Sequence, residues 1–479
     1  MRKILLIGVS AFVLGAGSTA YVIQSARAAA PRSETYKMLE LLGDVLNKVD
    51  DQYVDPVDNK KLIQAGIDGM LTSLDPHSNY LTLEGFNNLM DQTRGEYGGL
   101  GIEITSEDGV VKIISPIDDT PSSRAGLMAG DYITAIDGQN VVGLSLNDAV
   151  RQMRGKVGES LVLSIARENH DPFDVKLTRE IIKVKSVKYR REGDYGYLRI
   201  ASFDEKTGAE TEAAVKDLMS KGPKIKGLVL DLRNNPGGVL DGAVEVCGVF
   251  LNGGEVVSQR GRDPLDPKQV TRYNARQGGD LLKGLPMTVL INSGSASAAE
   301  IVAGALQDRH RADLVGLTSF GKGSVQTLIP LNNGLDGGLK LTTARYYTPS
   351  GRSIQKTGID PDLEVAKTRD EAQLIANRSF MYTEAAYRNA LNADDGKTRK
   401  APHAPAEEPP VGFDEKAGDF QLTRALDVLK AGGVANTPKL ATPTPKLAAV
   451  LDRKAPGKDT ATPKADPATP APAAKAPAK

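Results

Sequence analysis

One cysteine, four histidines and no net charge limit what this chain can be. Lys and Arg total 60, and so do Asp and Glu. A general nucleic-acid binder carries a basic excess, so that class is disfavoured. The lone Cys247 allows no internal disulfide framework and no thiolate metal cluster. His77, His170, His310 and His403 are widely scattered, which argues against a multi-histidine metal site and a histidine-based triad. What is present is ordinary for a folding chain: 40% apolar and 25% charged residues over 479 positions. At roughly 150 residues per domain that length corresponds to about three domains.

One long uncharged run occurs, at the N-terminus. Arg2 and Lys3 precede 20 residues, Ile4 to Ile23, without a charge, and Ala26-Arg27-Ala28 follows. A basic start, an apolar stretch and an A-x-A site describe an export signal over residues 1–30. The run is also nearly long enough to span a bilayer, so anchoring through residues 4–23 stays open. Either way the bulk of the protein is expected outside the cytoplasm, in a periplasm or on the outer face of an inner membrane.

Residues 34–94 read as a helical arm. Met38, Leu41, Leu42, Val45, Leu46 and Val49 recur at three- and four-residue spacing, and a second such stretch ends at Asp75-Pro76. So thin a core is either a cap on the next domain or a dimerisation arm. Residues 95–182 carry short strands and two helices, Ser122 to Met128 and Leu146 to Met153, as one small α+β domain. Over 183–370 strands and helices alternate, and Gly227–Leu232 and Met287–Ile291 are almost continuously apolar. That pattern predicts an α/β layer architecture. Helical signal continues through residues 371–434, to Leu391 and again over Phe420–Leu429. In residues 435–479, 22 of 45 positions are Ala or Pro, and seven Lys and one Arg against three Asp give +5. Such a tail cannot bury enough surface to fold.

Three motifs could carry chemistry. Ser293–Glu300 follows an apolar strand and opens a helix, so Ser297 sits beside free backbone N–H groups. Ser297-x-x-Glu300 is equally a capping box. Phe320-Gly321-Lys322-Gly323 flanks a lysine with glycines. Lys322 is either a solvated loop charge or a desolvated base able to take a proton from a serine. Gln326, four residues on, falls on the same face of an extended strand, where its amide oxygen could orient the amine. Asp231–Gly238 follows another apolar strand and reads as a turn, or as the source of a backbone N–H for an oxyanion.

In this order, these motifs resemble the carboxy-terminal processing, or tail-specific, proteases. Asp75–Tyr80 resembles that family's helical segment and Ala344–Gln355 a segment after its catalytic lysine, and 25 residues separate Ser297 from Lys322. The likeness covers about residues 36–434. It implies a ClpP/crotonase-like core with Ser297 as nucleophile, Lys322 as general base and Gln326 positioning it. The oxyanion donors would be the N–H groups of Gly238 and Ala298. Residues 95–182 resemble a PDZ domain, which implies that Gly99, Leu100, Gly101 and Ile102 bind a substrate C-terminus. Arg154 is either a contact to that carboxylate or to the core, or a solvated charge. The reading is an exported serine endopeptidase acting on protein or peptide C-termini, needing no metal or organic cofactor. A homodimer and an activator protein both stay open as partners. Its rival is a non-catalytic PDZ scaffold or binding protein of the cell envelope.

Overall fold

The structure is a computed structural model. It describes residues 34–440, apart from 108–109, 118, 145, 169, 184, 264, 377–382, 394–395, 397–398, 402 and 415–417. The expected export signal (1–30) lies outside the described residues, as does the tail from 441 onward.

A six-stranded sheet organises the core. Its order is Val187–Glu192, Tyr195–Ile200, Leu228–Asp231, Met287–Ile291, Asp313–Gly316 and Leu363–Glu364. The first pair is antiparallel and the remaining pairs are parallel. Both faces are covered, which is why these strands are apolar at almost every position. Leu198, Leu228, Leu230, Val289, Ile291 and Leu314 turn to one face, where they join residues of helices Thr207–Ser220, Leu240–Phe250 and Ala298–Asp308. Val229, Leu290 and Val315 turn to the other and meet helix Phe420–Ala431 through Phe420, Ala425 and Val428. The period-two alternation of a strand thus serves two separate apolar clusters.

A second sheet leans on this core. Ser324–Pro330 and Gly338–Tyr347 form a hairpin, and Gly338–Tyr347 also pairs with Glu255–Arg260. Its edge is extended by Asn79–Leu81, in register Asn79 to Lys340 and Leu81 to Gly338. The arm 34–94 is expected to be helical with a stop at Asp75-Pro76. The helices are 34–52, Asn59–Thr72 and Leu83–Arg94, and a strand interrupts them where Asp75-Pro76 breaks the pattern.

Residues 95–182 hold a sheet ordered Ile102–Glu107, Val110–Pro116, Tyr132–Ile136, Ser160–Ala166 and Phe173–Thr178. Ile113, Ile133, Leu161, Leu163 and Ile165 are buried in a core of their own. Helix Leu146–Met153 falls where its periodicity placed it, whereas the expected helix Ser122–Met128 is only Pro121–Arg124. The helical signal to Leu391 resolves into helix Arg369–Ala376 and one 3-10 turn, Glu384–Ala386.

Candidate active site

Two turns meet at the ends of neighbouring core strands. After Leu228–Asp231 the chain runs through Asn234, with φ 54°, to Gly237 and Gly238. After Met287–Ile291 it runs from Asn292 to Ser297. The turns are stitched together by side chains. Asn292 Nδ2 donates to Asn234 Oδ1 (2.8 Å), Asn292 Oδ1 accepts from Asn234 N–H (2.9 Å), and Ser295 Oγ donates to the Leu232 carbonyl (2.8 Å). Ala296 N–H donates to the Asn235 carbonyl at 2.9 Å. Below them Asp231 is buried and ion-paired with Arg233 and Arg199, and Arg233 also grips Asp419.

Ser297 occupies the elbow between strand and helix with φ 53° and ψ −114°, a region that L-residues rarely adopt. It is half-buried, so its side chain can still be reached. The next residue, Ala298, opens helix Ala298–Asp308. The first N–H of a helix has no intrahelical acceptor. At Gly237 a Cβ would come within 2.8 Å of Ser297 Cβ and 3.0 Å of Ala298 N, so only glycine lets the turns approach this closely. Gly237 N–H is already committed to Asn235 Oδ1 at 2.9 Å. The next glycine, Gly238, has φ 141°, and a Cβ there would lie 1.9 Å from the Phe203 carbonyl oxygen.

Glu300 lies beneath the elbow, fully buried. Oε2 accepts from Ser297 N–H (2.8 Å) and Lys322 N–H (2.9 Å). Oε1 accepts from Gly321 N–H (2.6 Å) and Ser319 Oγ (2.5 Å). Burial pushes its carboxyl up to about 6, against these four hydrogen bonds. Ser297-x-x-Glu300 is therefore a helix cap and a part of the site at once.

Lys322 Nζ donates to Gln326 Oε1 at 2.6 Å. Desolvation brings the Lys322 amine down to about 8, with a further push from Lys340. Glu384, Glu300 and Asp75 pull the other way. Gln326 Nε2 is held by Ser324 Oγ (3.0 Å) and Thr342 Oγ1 (3.1 Å). Gln355 Oε1 accepts the N–H of Gly323, beside Lys322, at 2.9 Å, and its amide nitrogen reaches Glu384 Oε1 at 3.0 Å.

The other candidates fall elsewhere. His77 lies in the turn after Asp75, and its Nε2 meets the buried Glu384 Oε2 at 2.8 Å. Sequence reasoning gave no role to Glu384, Thr342 or Gln355, although Gln355 closes the segment Ala344–Gln355 that carries part of the family likeness. His310 follows the C-terminal end of the helix that Ser297 opens. Cys247 is fully buried, and burial raises its thiol pKa, so it is a core side chain.

In residues 95–182, Gly101 takes φ 75° and its carbonyl accepts from Ser122 Oγ (2.7 Å) and Ile117 N–H (2.8 Å). The Leu100 carbonyl accepts from Ser122 N–H at 3.0 Å. Both carbonyls of the loop are thus turned into the domain. Strand Ile102–Glu107, which Ile102 begins, is at the edge of its sheet. Gly99 ends strand Glu96–Gly99, which pairs with Glu180–Lys183. Arg154 stacks its guanidinium over Tyr97, 4.7 Å from the ring centre.

Known proteins resemble this chain over much of its length. Residues 194–365 match the model of peptidase family S41, residues 112–167 that of the PDZ domain, and residues 14–85 that of the activating protease CtpB N-terminal domain. A carboxy-terminal-processing protease of Bartonella bacilliformis is 54% identical over 365 residues, which is 75% of this chain and 83% of that protein. A probable CtpA-like serine protease of Staphylococcus epidermidis is 35% identical over 69% of this chain and 65% of its own length. Among solved structures, the photosystem II D1 C-terminal processing protease matches 67% of this chain and 91% of that one, at 30% identity and a TM-score of 0.40.

Proposed function

This chain belongs to peptidase family S41 as a serine-type peptidase of the carboxy-terminal-processing group with a PDZ domain, and from that premise we propose that Ser297 and Lys322 form its catalytic dyad. The observation that carries the proposal is the Lys322 amine, desolvated, brought down to about 8 and oriented by Gln326 Oε1 at 2.6 Å. A lysine so placed is partly neutral near pH 7 and has a lone pair to accept a proton.

Ser297 Oγ attacks the scissile carbonyl as Lys322 Nζ takes its proton. The tetrahedral oxyanion is met by the N–H groups of Gly238 and Ala298. Gly237 is less suited, because its N–H already serves Asn235. Collapse breaks the C–N bond, and the Lys322 ammonium gives its proton to the leaving amine. Water, deprotonated by the now neutral Lys322, attacks the acyl-enzyme. Its collapse frees the new carboxyl terminus and restores Ser297.

The PDZ domain supplies the address. The N–H groups of the Gly99–Ile102 loop form a nest for a terminal carboxylate, and the edge strand Ile102–Glu107 pairs with the residues before it. Substrates are then proteins with an extended, apolar C-terminus. The basic start, uncharged run and A-x-A site of residues 1–30 support export to the periplasm or the outer face of the inner membrane. Helix 34–52 leaves Tyr36, Met38, Leu39, Leu41, Leu42 and Val45 exposed, which supports self-association of the arm over a mere cap.

The test is a paired digestion of an unfolded protein with a free or an amidated C-terminus, beside Ser297→Ala and Lys322→Ala. The parent should cut, amidation should slow it, and both variants should be inactive. Parent-like cutting by both variants would remove the dyad.

A further inference from the structure

The residues that hold the lysine do not all belong to the protease core. Gln326 must present its oxygen, and not its NH2 group, to Lys322, and the two ends of an amide have almost the same shape. A chain of hydrogen bonds settles the choice. Gln326 Nε2 donates to Thr342 Oγ1 at 3.1 Å. Thr342 Oγ1 lies 3.3 Å from Ser78 Oγ. Ser78 Oγ gives its single proton to Asp75 Oδ2 at 2.7 Å and accepts from Thr342 N–H at 3.0 Å. The Thr342 hydroxyl is a further donor to the Asp75 carboxylate, beside that of Ser78. Every donor in the row therefore points away from Lys322 and toward the carboxylate of Asp75. Asp75 is held ionised: burial raises its pKa, but hydrogen bonds from Ser78 Oγ and from the N–H groups of His77 and Ser78 outweigh that effect.

The end of this row is in the N-terminal arm. Asp75 and Ser78 are buried, and the strand that follows them adds to the edge of the sheet that carries the hairpin of Gln326 and Thr342. Between them His77 begins a second path. It meets Glu384, which meets Gln355, which holds the N–H of Gly323. Neighbouring residues of one arm turn thus reach both the side chain of Lys322, through Gln326, and the backbone beside it.

We propose that Ser78 and Thr342 are positioning residues for Lys322, forming with Asp75 a one-way relay that fixes the Gln326 amide and makes catalysis depend on a seated N-terminal arm. Without the relay the NH2 group of Gln326 keeps only Ser324 Oγ, at 3.0 Å, and the amide is less firmly held against turning that group toward the amine it should orient. The proposal rests on the dyad reading above.

The test compares Thr342→Val, which keeps shape and loses the hydroxyl, with Thr342→Ser, which keeps the hydroxyl. Ser78→Ala is the second break, and Ser297→Ala and Lys322→Ala are the controls. The full chain is assayed on an unstructured peptide carrying a fluorophore and quencher, with melting midpoints recorded. Thr342→Val and Ser78→Ala should lower kcat about 10- to 100-fold with KM within about twofold, and Thr342→Ser should stay within about threefold of the parent. If Thr342→Val and Ser78→Ala match the parent in kcat while both controls are inactive, the relay is wrong and the dyad stands. If Thr342→Ser falls as far as Thr342→Val, the hydroxyl is not what matters and the relay is again wrong. If the controls cut like the parent, the dyad itself fails.

Discussion

Ser297 and Lys322 hang from one oxygen atom: Glu300 Oε2 accepts the backbone N–H of Ser297 at 2.8 Å and that of Lys322 at 2.9 Å. The elbow of one element and the loop of another are thereby fixed at one point. The remaining oxygen is also filled, by Gly321 N–H and Ser319 Oγ. Glu300 would touch no reacting atom of the proposed dyad; it places the two residues of that dyad.

Glu300→Gln should therefore impair turnover far more than binding. The amide offers one oxygen where two are needed, and its NH2 group would confront N–H donors. A misplacement near 1 Å costs about 100-fold in rate, so kcat should drop by about that factor with KM little changed. Steady-state kinetics on a quenched peptide would check this. A kcat within threefold of the parent would show that the shared oxygen is not needed for alignment.

With Lys322 as the proposed base, its amine sets the pH dependence expected of the reaction. Burial favours the neutral form, and only the neutral form accepts a proton from Ser297. The rate of acylation should thus rise with pH, tenfold per unit, and level off above about 8. At pH 7 about one amine in ten is neutral. A pH profile of kcat/KM measures it; a flat profile from pH 6 to 9 would count against Lys322 as the base.

Much of this was legible in the sequence because it depended on neighbours along the chain. The strand-to-helix elbow at Ser297 and the pair Lys322 and Gln326 are local patterns, and so is the apolar run of each core strand. The second sheet was not legible, since its strand Gly338–Tyr347 is mostly half-buried and lacks a clean apolar alternation. The arm strand Asn79–Leu81 is three residues long and exists because an edge was there to receive it. The roles of Glu384 and Gln355 were missed for the same reason: a buried contact across 307 residues, as between His77 and Glu384, leaves no periodic trace. Helix Phe420–Ala431 was expected as a helix, but only the structure shows that it seals the second face of the core sheet.

Gly101→Ala separates address from chemistry. At φ 75° an alanine is strained, and its Cβ would sit 2.3 Å from Thr120 Cβ. The carboxylate loop should deform while the dyad, in another domain, stays intact. Cutting of a substrate with a free C-terminus should fall about tenfold, toward that of its amidated form. Hydrolysis of a small activated ester should hold within about twofold of the parent. Equal loss on ester and protein would mean that the loop acts on the catalytic core and not on substrate recognition.

Arg233 ties stability to the Asp231–Gly238 turn. Its guanidinium donates to Asp231 Oδ2 at 2.6 Å and to Asp419 Oδ2 at 2.7 Å, and both Arg233 and Asp231 are buried. Arg233→Met leaves the Asp231 carboxylate in the core with Tyr197 OH (2.7 Å) and the more distant Arg199 (3.4 Å). Breaking such a pair costs about 3–5 kcal/mol, much of it the stranded charge. Asp231→Asn in the same chain removes that charge and should recover part of the loss. The sign with pH follows from the lowered pKa of Asp231, in which burial opposes and the Arg233 hydrogen bond and charge prevail. A carboxyl so depressed contributes stability above its unfolded pKa of about 3.9, and that contribution is lost as pH falls through the folded value. The gap in melting midpoint between parent and Arg233→Met should therefore be widest near neutrality and shrink in acid. A gap independent of pH down to about 3 would mean that packing of the Arg233 side chain, and not its pairing with Asp231, stabilises the turn.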